Sequence, residues 1–363
     1  MNLKSRGFPI ALVAVASLTL SSCAANESGQ AASHGASSTL SGSINGIGSS
    51  AQGAAQTAWT VLFQTANPRV TVNYDPQGSG AGRTNFIAGA ANFAGSDAPL
   101  KDSELAGTFA GCAPNSKAID LPDYISPIAI VFNVAGVTGL KLDAPTLAKI
   151  FKGAITRWDD PAIAQLNPGT SFPDANIAVV RRSDDSGTTQ NFSEYLKVNA
   201  PGEWTAAVNQ TYPYPVGDGA KGTAGVVDAV KNGVNTIAYA DESGVGPLAK
   251  AQLKVGDTFN SISAAGAADV VSRSPIATGR AANDLAITID RTDTATNAWP
   301  LVLVSYLIVC QNYSDASKGA LVREYASAVI GEEAQTAAAV RAGSAPLSPE
   351  LAGKARAAAA TIS

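Results

Sequence analysis

The sequence predicts an α/β protein large enough for two lobes, and three observations carry that prediction. The chain has 363 residues, enough for two lobes of ordinary size. Hydrophobic residues make up 45% and charged residues 15%, so most of the chain can fold around a core. Beyond a small, polar N-terminal stretch, short β-like runs alternate with helical patterns.

The first segment lies outside that fold. Lys4 and Arg6 form a positive n-region, and Phe8 to Leu20 form an apolar run. The run is shorter than the about 20 residues a membrane span needs, so residues 1–22 read as a signal peptide. They end Leu20-Ser21-Ser22-Cys23, which is similar to a bacterial lipobox. In that pattern Cys23 is lipidated and becomes the first mature residue. The alternative is an ordinary signal peptide followed by an incidental cysteine. Residues 24–38, AANESGQAASHGASS, are small and polar, so 23–40 are assigned to a lipid anchor and flexible tether. No later run is long enough to span a bilayer, the stretch from Leu301 to Cys310 included. The expected product is a soluble body on a lipid tether, outside the cytoplasmic membrane.

Along the body, six runs are rich in β-branched and aromatic residues: Val70 to Tyr74, Ile125 to Phe132, Ile177 to Val180, Thr236 to Tyr239, Leu285 to Ile289 and Leu301 to Val309. Each is expected to be a strand. Leu147, Ile150 and Phe151 share a helical face, with Pro145 early and Gly153 after it. Leu321, Val322, Tyr325 and Val329 form another stripe, with Ser314 as the expected cap. The stretch from 156 to 169, TRWDDPAIAQLNPG, reads as a turn-rich connector. There is no internal repeat.

Three serine-and-glycine turns precede helical patterns. Gly46-Ile47-Gly48-Ser49-Ser50-Ala51 leads into a pattern carrying Trp59, Leu62 and Phe63. Gly78-Ser79-Gly80-Ala81-Gly82 leads into Phe86 and Ile87. Ser186-Gly187-Thr188-Thr189 leads into Phe192, Tyr195 and Leu196. A helix start offers unpaired N–H groups and the positive end of a dipole. Glycine admits a ligand close to the backbone, so such an end can hold an oxyanion. Each turn alone is more often an ordinary cap. Arg182, just before the third turn, adds a guanidinium that can grip an oxyanion with two parallel hydrogen bonds; Arg181 is better read as solvated.

A fourth stretch, Phe93-Ala94-Gly95-Ser96-Asp97-Ala98-Pro99-Leu100, places a carboxylate among these elements. That suits an anion which keeps a proton. Phosphate near neutral pH is a mixture of mono- and dibasic forms, with a second pKa of roughly 6–7, and both keep a P–OH. A carboxylate accepts that hydrogen and repels a fully ionised rival such as sulfate.

Charge and residue usage exclude other classes. The formal net charge is −4; without residues 1–22 there remain 23 bases against 29 acids, or −6. Sequence-independent nucleic-acid binding needs a basic face instead. The only histidine, His34, lies in the tether, which removes it from catalysis and argues against a His-based metal site. If Cys23 is the anchor, Cys112 and Cys310 remain; an even pair in an oxidising compartment suggests a disulfide, with two separate buried thiols as the alternative.

These residues resemble the substrate-binding lipoproteins of high-affinity, Pst-type phosphate ABC transporters. The resemblance covers nearly all of the body. It is densest in IFKGAITRWDDPAIAQLNPG and VVRRSDDSGTTQNFSEYL between Ile150 and Leu196, with GSGAG at 78–82 and GSDAPL at 95–100. It implies a two-lobed periplasmic-binding-protein-like (type II) fold with crossing hinge strands, lobe I from 41–131 plus 299–363 and lobe II from 132–298. It implies phosphate contacts from the Ser50 hydroxyl, the Ala51 N–H, Ser79, the proton acceptor Asp97, Arg182, and Ser186, Gly187 and Thr188, with Asp184 orienting Arg182. It further implies a monomeric, non-enzymatic receptor without cofactor or metal, whose partners are inorganic phosphate, the permease of an ABC transporter, and the membrane through its lipid anchor, but no nucleic acid. Two departures stand out: family members often have Thr-Phe where Ser50-Ala51 stand, and glycine where Asp185 stands. Asp185 is expected to point to solvent.

Rival readings fit less well. Asp185-Ser186-Gly187-Thr188 matches an aspartic-protease pattern, but that chemistry needs a second such aspartate, and Asp293-Thr294-Ala295-Thr296 lacks the glycine. A serine hydrolase lacks both its histidine and a G-x-S-x-G turn. A receptor for sulfate or molybdate is the nearer rival, and Asp97 discriminates against it. A scaffold role leaves three anion turns without a purpose.

Overall fold

The computed structural model describes residues 39–363. The expected signal peptide, Cys23 and His34 lie outside the described residues. Among the described residues there are twelve strands: β1 (Gly42–Gly48), β2 (Val70–Asp75), β3 (Phe93–Ser96), β4 (Ala118–Asn133), β5 (Lys141–Leu142), β6 (Ala178–Arg182), β7 (Asp218–Ala220), β8 (Thr236–Asp241), β9 (Ala249–Lys250), β10 (Gln252–Val255), β11 (Thr258–Asn260) and β12 (Val302–Cys310). The helices are α1 (Gly53–Ala66), α2 (Ser79–Ile87), α3 (Asp102–Leu105), α4 (Ala144–Phe151), α5 (Pro161–Leu166), α6 (Gly187–Asn199), α7 (Gly222–Asn232), α8 (Glu242–Val245), α9 (Ala264–Arg273), α10 (Ala316–Val329), α11 (Glu332–Ala342) and α12 (Pro349–Ala359). The mixed α/β class is as expected.

The main sheet runs β2-β1-β3-β12-β4-β8-β6-β7, with β9 added on β4; a small sheet runs β11-β10-β5. One strand joins the two halves of the main sheet. Ala118 to Pro127 of β4 pair antiparallel with β12, and Ile128 to Asn133 pair antiparallel with β8. Every residue of β12 is buried, and all of β4 but Asn133. Such strands are covered on both faces, so they cannot show polar–apolar alternation. Residues from 280 to 287 return to the first half: Leu285 N–H donates to the Asp120 carbonyl at 3.0 Å, and Arg280 pairs with Asp120 and Asp284.

Local chemistry explains the helix starts. Asp143 caps α4 by accepting from Thr146 N–H at 2.8 Å, and Pro145 fits the first turn. The 156–169 stretch is not all connector, because Asp160 accepts from Ala162 N–H at 2.8 Å and starts α5. The cap of α10 is Asp315 rather than Ser314. Asp315 accepts from Ser317 and Lys318 N–H, while the Ser314 hydroxyl donates to the Cys112 carbonyl at 2.7 Å. The run from Leu285 to Ile289 forms no strand; Ile287 makes one isolated bridge, to Ile276. No helix of the described residues is long and apolar enough to cross a membrane.

Cys112 and Cys310 form a disulfide with their Cα atoms 5.3 Å apart, which removes the alternative of separate thiols. It closes a loop of 198 residues. Chain entropy places the stabilisation from so long a loop at about 5 kcal/mol, before any strain. Replacing both cysteines by alanine is expected to lower the unfolding free energy by about 3–5 kcal/mol, read by urea denaturation. An unchanged urea midpoint rejects that contribution.

Candidate functional site

The three turns meet between the two halves of the sheet. The β1–α1 turn and the start of α2 approach the β3 end at Asp97 from the first half. The start of α6 approaches it from the second. Asp97 is 3% exposed. Its Oδ2 accepts from Ser49 Oγ at 2.6 Å, and its Oδ1 accepts from Ser305 Oγ at 2.8 Å. The Asp97 N–H donates to Ser79 Oγ at 3.2 Å. Burial is the largest influence on this carboxyl and raises its pKa. The serine hydroxyls and the Arg182 charge act the other way without fully cancelling it.

Arg182 ends β6, where the strand delivers it buried. Nε donates to Asp184 Oδ1 at 2.8 Å, and Nη2 pairs with Asp184 Oδ2. The pair engages one edge of the guanidinium, so Nη1 is not held by Asp184. Asp184 also accepts from Gly222 N–H at 3.0 Å. Burial would raise its pKa, but the Arg182 hydrogen bonds and charge overcome burial and hold it below the usual carboxylate range. The expected orienting role of Asp184 thus has a geometric basis.

Ser186 caps α6, accepting from Thr189 N–H at 3.3 Å. The helix is held in place by Phe192, which stacks on Tyr239 of β8 at 4.2 Å. Thr189 Oγ1 and the Tyr239 hydroxyl lie 2.7 Å apart. Gly187 sits against the opposite wall: a Cβ there would lie 2.7 Å from Asp97 Cβ and 2.8 Å from Ser79 Oγ. Thr188 Oγ1 is buried without a hydrogen-bond partner. Gly78, at φ +107°, makes similar room, since a Cβ there would lie 2.5 Å from Asp184 Oδ2.

The structure therefore brings Ser79, Asp97, Arg182, Asp184, Ser186, Gly187 and Thr188 together. The other two expected contacts are engaged elsewhere. Ser50 Oγ accepts from Thr223 N–H at 3.0 Å and lies 3.2 Å from Thr223 Oγ1. Ala51 N–H donates to Ser49 Oγ at 3.0 Å. Sequence reasoning missed Ser49, Ser305 and Asn191. Asn191 Nδ2 donates to the Asp97 carbonyl at 2.6 Å and to the Gly187 carbonyl at 2.9 Å, tying α6 to the opposite half. Its offset of four residues from Gly187 is a signal that could have found it. Asp185 is exposed, as expected, and accepts from Thr211 Oγ1 at 2.6 Å.

The described residues contain no cluster of side chains able to hold a metal. The site can present an acceptor, a cation and helix-start donors to one small anion.

Comparisons with known proteins give the family and the fold. A family model described as a PBP superfamily domain matches residues 33–333. The phosphate-binding protein PstS 3 of Mycobacterium leprae is 37% identical over 342 residues, covering 91% of this chain and 92% of that protein. PstS 3 of Mycobacterium tuberculosis is 35% identical over 353 residues, with the same coverage. Among solved structures, a high-affinity periplasmic phosphate-binding protein, PfluDING, bound with phosphate, superposes with a TM-score of 0.70 at 23% identity, covering 87% of this chain and 93% of that one. A phosphate-binding protein from Stenotrophomonas maltophilia gives 0.68 at 20% identity, covering 87% and 94%. These structural likenesses show the two-lobed fold.

Proposed function

The chain belongs to the PBP superfamily and, within it, to the PstS phosphate-binding proteins, and from that premise we propose that it is an extracytoplasmic receptor that binds inorganic phosphate and delivers it to an ABC permease for import. One observation supports the reading above the others. A buried carboxylate, a buried guanidinium and the start of α6, with its unpartnered Thr188 hydroxyl, converge from opposite halves of one sheet. That combination suits an anion which is both charged and protonated.

In this reading Asp97 accepts the phosphate proton, and Arg182, held by Asp184, neutralises its charge. Ser79, Ser186, Gly187 and Thr188 donate to its oxygens. Ser50 and Ala51 join them when their present partners, Thr223 and Ser49, are exchanged for the anion. Lobe I is assigned to 41–131 plus 299–363 and lobe II to 132–298, with β4 crossing between them and residues 280–287 of the second span packing back on the first. Phosphate favours closure because only the closed form brings both walls to it. No covalent step is needed, so the role is that of a receptor rather than an enzyme. Lipidation at Cys23 would keep the monomeric body at the outer face of the cell membrane, within reach of the permease.

Calorimetric titration of the protein, stripped of endogenous ligand, tests this reading. Tight phosphate binding that a large excess of sulfate leaves intact is the expected result. Binding abolished by sulfate would make the site a general oxyanion receptor. Binding of neither would reduce the three turns to helix caps.

A further inference from the structure

Behind Asp97 runs a line of buried side chains that the anion contacts do not use. Ser305 of β12 donates to Asp97 Oδ1 at 2.8 Å. Ser305 Oγ accepts from Gln52 Nε2 at 2.8 Å. Gln52 Oε1 accepts from Gln56 Nε2 at 2.9 Å. Gln56 Oε1 accepts from the Tyr325 hydroxyl of α10 at 2.6 Å. None of these four side chains is more than 1% exposed.

The line has a single direction. Gln52 Nε2 also lies 2.9 Å from the Tyr306 carbonyl, which can only accept. The amide nitrogen must therefore face β12, and the amide oxygen must face Gln56. Gln52 Nε2 cannot accept, so the one proton of Ser305 goes to Asp97. Gln52 Nε2 has two hydrogens for three acceptors, Ser305 Oγ, the Tyr306 carbonyl and Asp123 Oδ2, so its donation toward Ser305 is shared with the other two; Ser305 and Ser49 each donate to one oxygen of Asp97.

We propose that Tyr325, Gln56, Gln52 and Ser305 form a polarised hydrogen-bond relay that holds Asp97 as an ionised acceptor, and that this relay sets the preference for a protonated oxyanion over a fully ionised one. The proposal rests on the phosphate reading above. Gln52 and Ser305 are positioning residues in it, acting through Asp97.

The other groups facing Asp97 are consistent with this division of labour. Asp123 of β4 accepts from the same Gln52 Nε2 at 2.8 Å, and its second oxygen has no partner. Burial first, and then the Asp97 charge, push Asp123 well above the usual carboxylate range. Asp97, by contrast, has the hydroxyls of Ser49, Ser305 and Ser79 and the Arg182 charge acting against its burial. Asp241 of β8 is pushed up to about 7, burial again acting first. Tyr74 of β2 and Tyr124 of β4 are raised by burial and stay neutral. The Arg182 charge of β6 acts to lower Asp97. A protonated Asp97 would become a donor, and a donor no longer rejects sulfate.

The test uses Ser305→Ala, Gln52→Met and Ser305→Thr in the full chain. Phosphate and sulfate are titrated separately from mildly acidic to neutral pH, after thermal melts confirm folding. In Ser305→Ala, the pH below which phosphate affinity falls is expected to rise by about one unit. Sulfate is expected to bind from that same pH downward. Gln52→Met should move both features the same way by less, and Ser305→Thr should keep the parent profile. Variants that weaken both anions in parallel at every pH, or leave the profile in place, overturn the relay alone. A parent protein that binds no phosphate overturns the phosphate reading and the relay with it.

Discussion

Arg182→Ala is expected to lower phosphate affinity by about two to four orders of magnitude. Two effects add. The anion loses a buried cation capable of parallel hydrogen bonds. Asp184, whose side chain is 12% exposed, also loses the partner that neutralises it, and its charge then faces the incoming anion. The second effect predicts that Arg182→Ala, Asp184→Asn together bind better than Arg182→Ala alone. Arg182→Lys should fall between, because an ammonium keeps the charge without the planar fork that Asp184 holds. Calorimetry on variants that keep the parent urea midpoint reads this cleanly. Near-parent affinity in Arg182→Ala would place the anion elsewhere.

Asp97→Asn is expected to cost selectivity more than affinity. Sites that hydrogen-bond a ligand hydroxyl reject the analogue lacking it by about 10⁴–10⁵. An asparagine removes the charge that repels sulfate and offers a donor where sulfate needs one. The ratio of phosphate to sulfate affinity should therefore fall by about three orders of magnitude or more. Part of the affinity loss has a local origin. Ser49 and Ser305 both donate to Asp97, and an amide has only one oxygen to receive them, so one hydroxyl must turn away. Competition of sulfate against bound phosphate measures the effect. Unchanged exclusion of sulfate in Asp97→Asn removes the proton-acceptor role.

Much of this was legible in the sequence where the signal is local. The three turns do start α1, α2 and α6, and Arg182 with Asp184 sits two residues apart on one strand end. What escaped depends on long-range pairing. Ser305 lies within a run read only as an apolar strand, and nothing near it in sequence says that Asp97, 208 residues away, is its partner. Gln52 looks like an ordinary residue at a helix start, yet it faces Asp123 and β12. The beginning of β4 carries Asp120, Pro122 and Asp123, a composition that argues against a buried strand. It is one because Arg280, Gln52 and β12 meet its polar groups. Ser49 was overlooked for its neighbour Ser50, since which of two adjacent serines turns inward is decided by packing.

The shared strand β4 and the late strand β12 bear on the order in which the chain can be built. The first half of the sheet needs β12, whose residues begin at Val302, to join β3 to β4, and Cys112 must wait for Cys310. The second half draws β6, β7 and β8 from Ala178 to Asp241 and needs only the end of β4 before them. During vectorial passage across a membrane, N-terminus first, the second half can thus assemble while the first is still missing its central strand. The facing edges of β3 and β4 stay unpaired until β12, Val302–Cys310, has crossed, which makes that interval the one in which the emerging chain most needs protection from its neighbours.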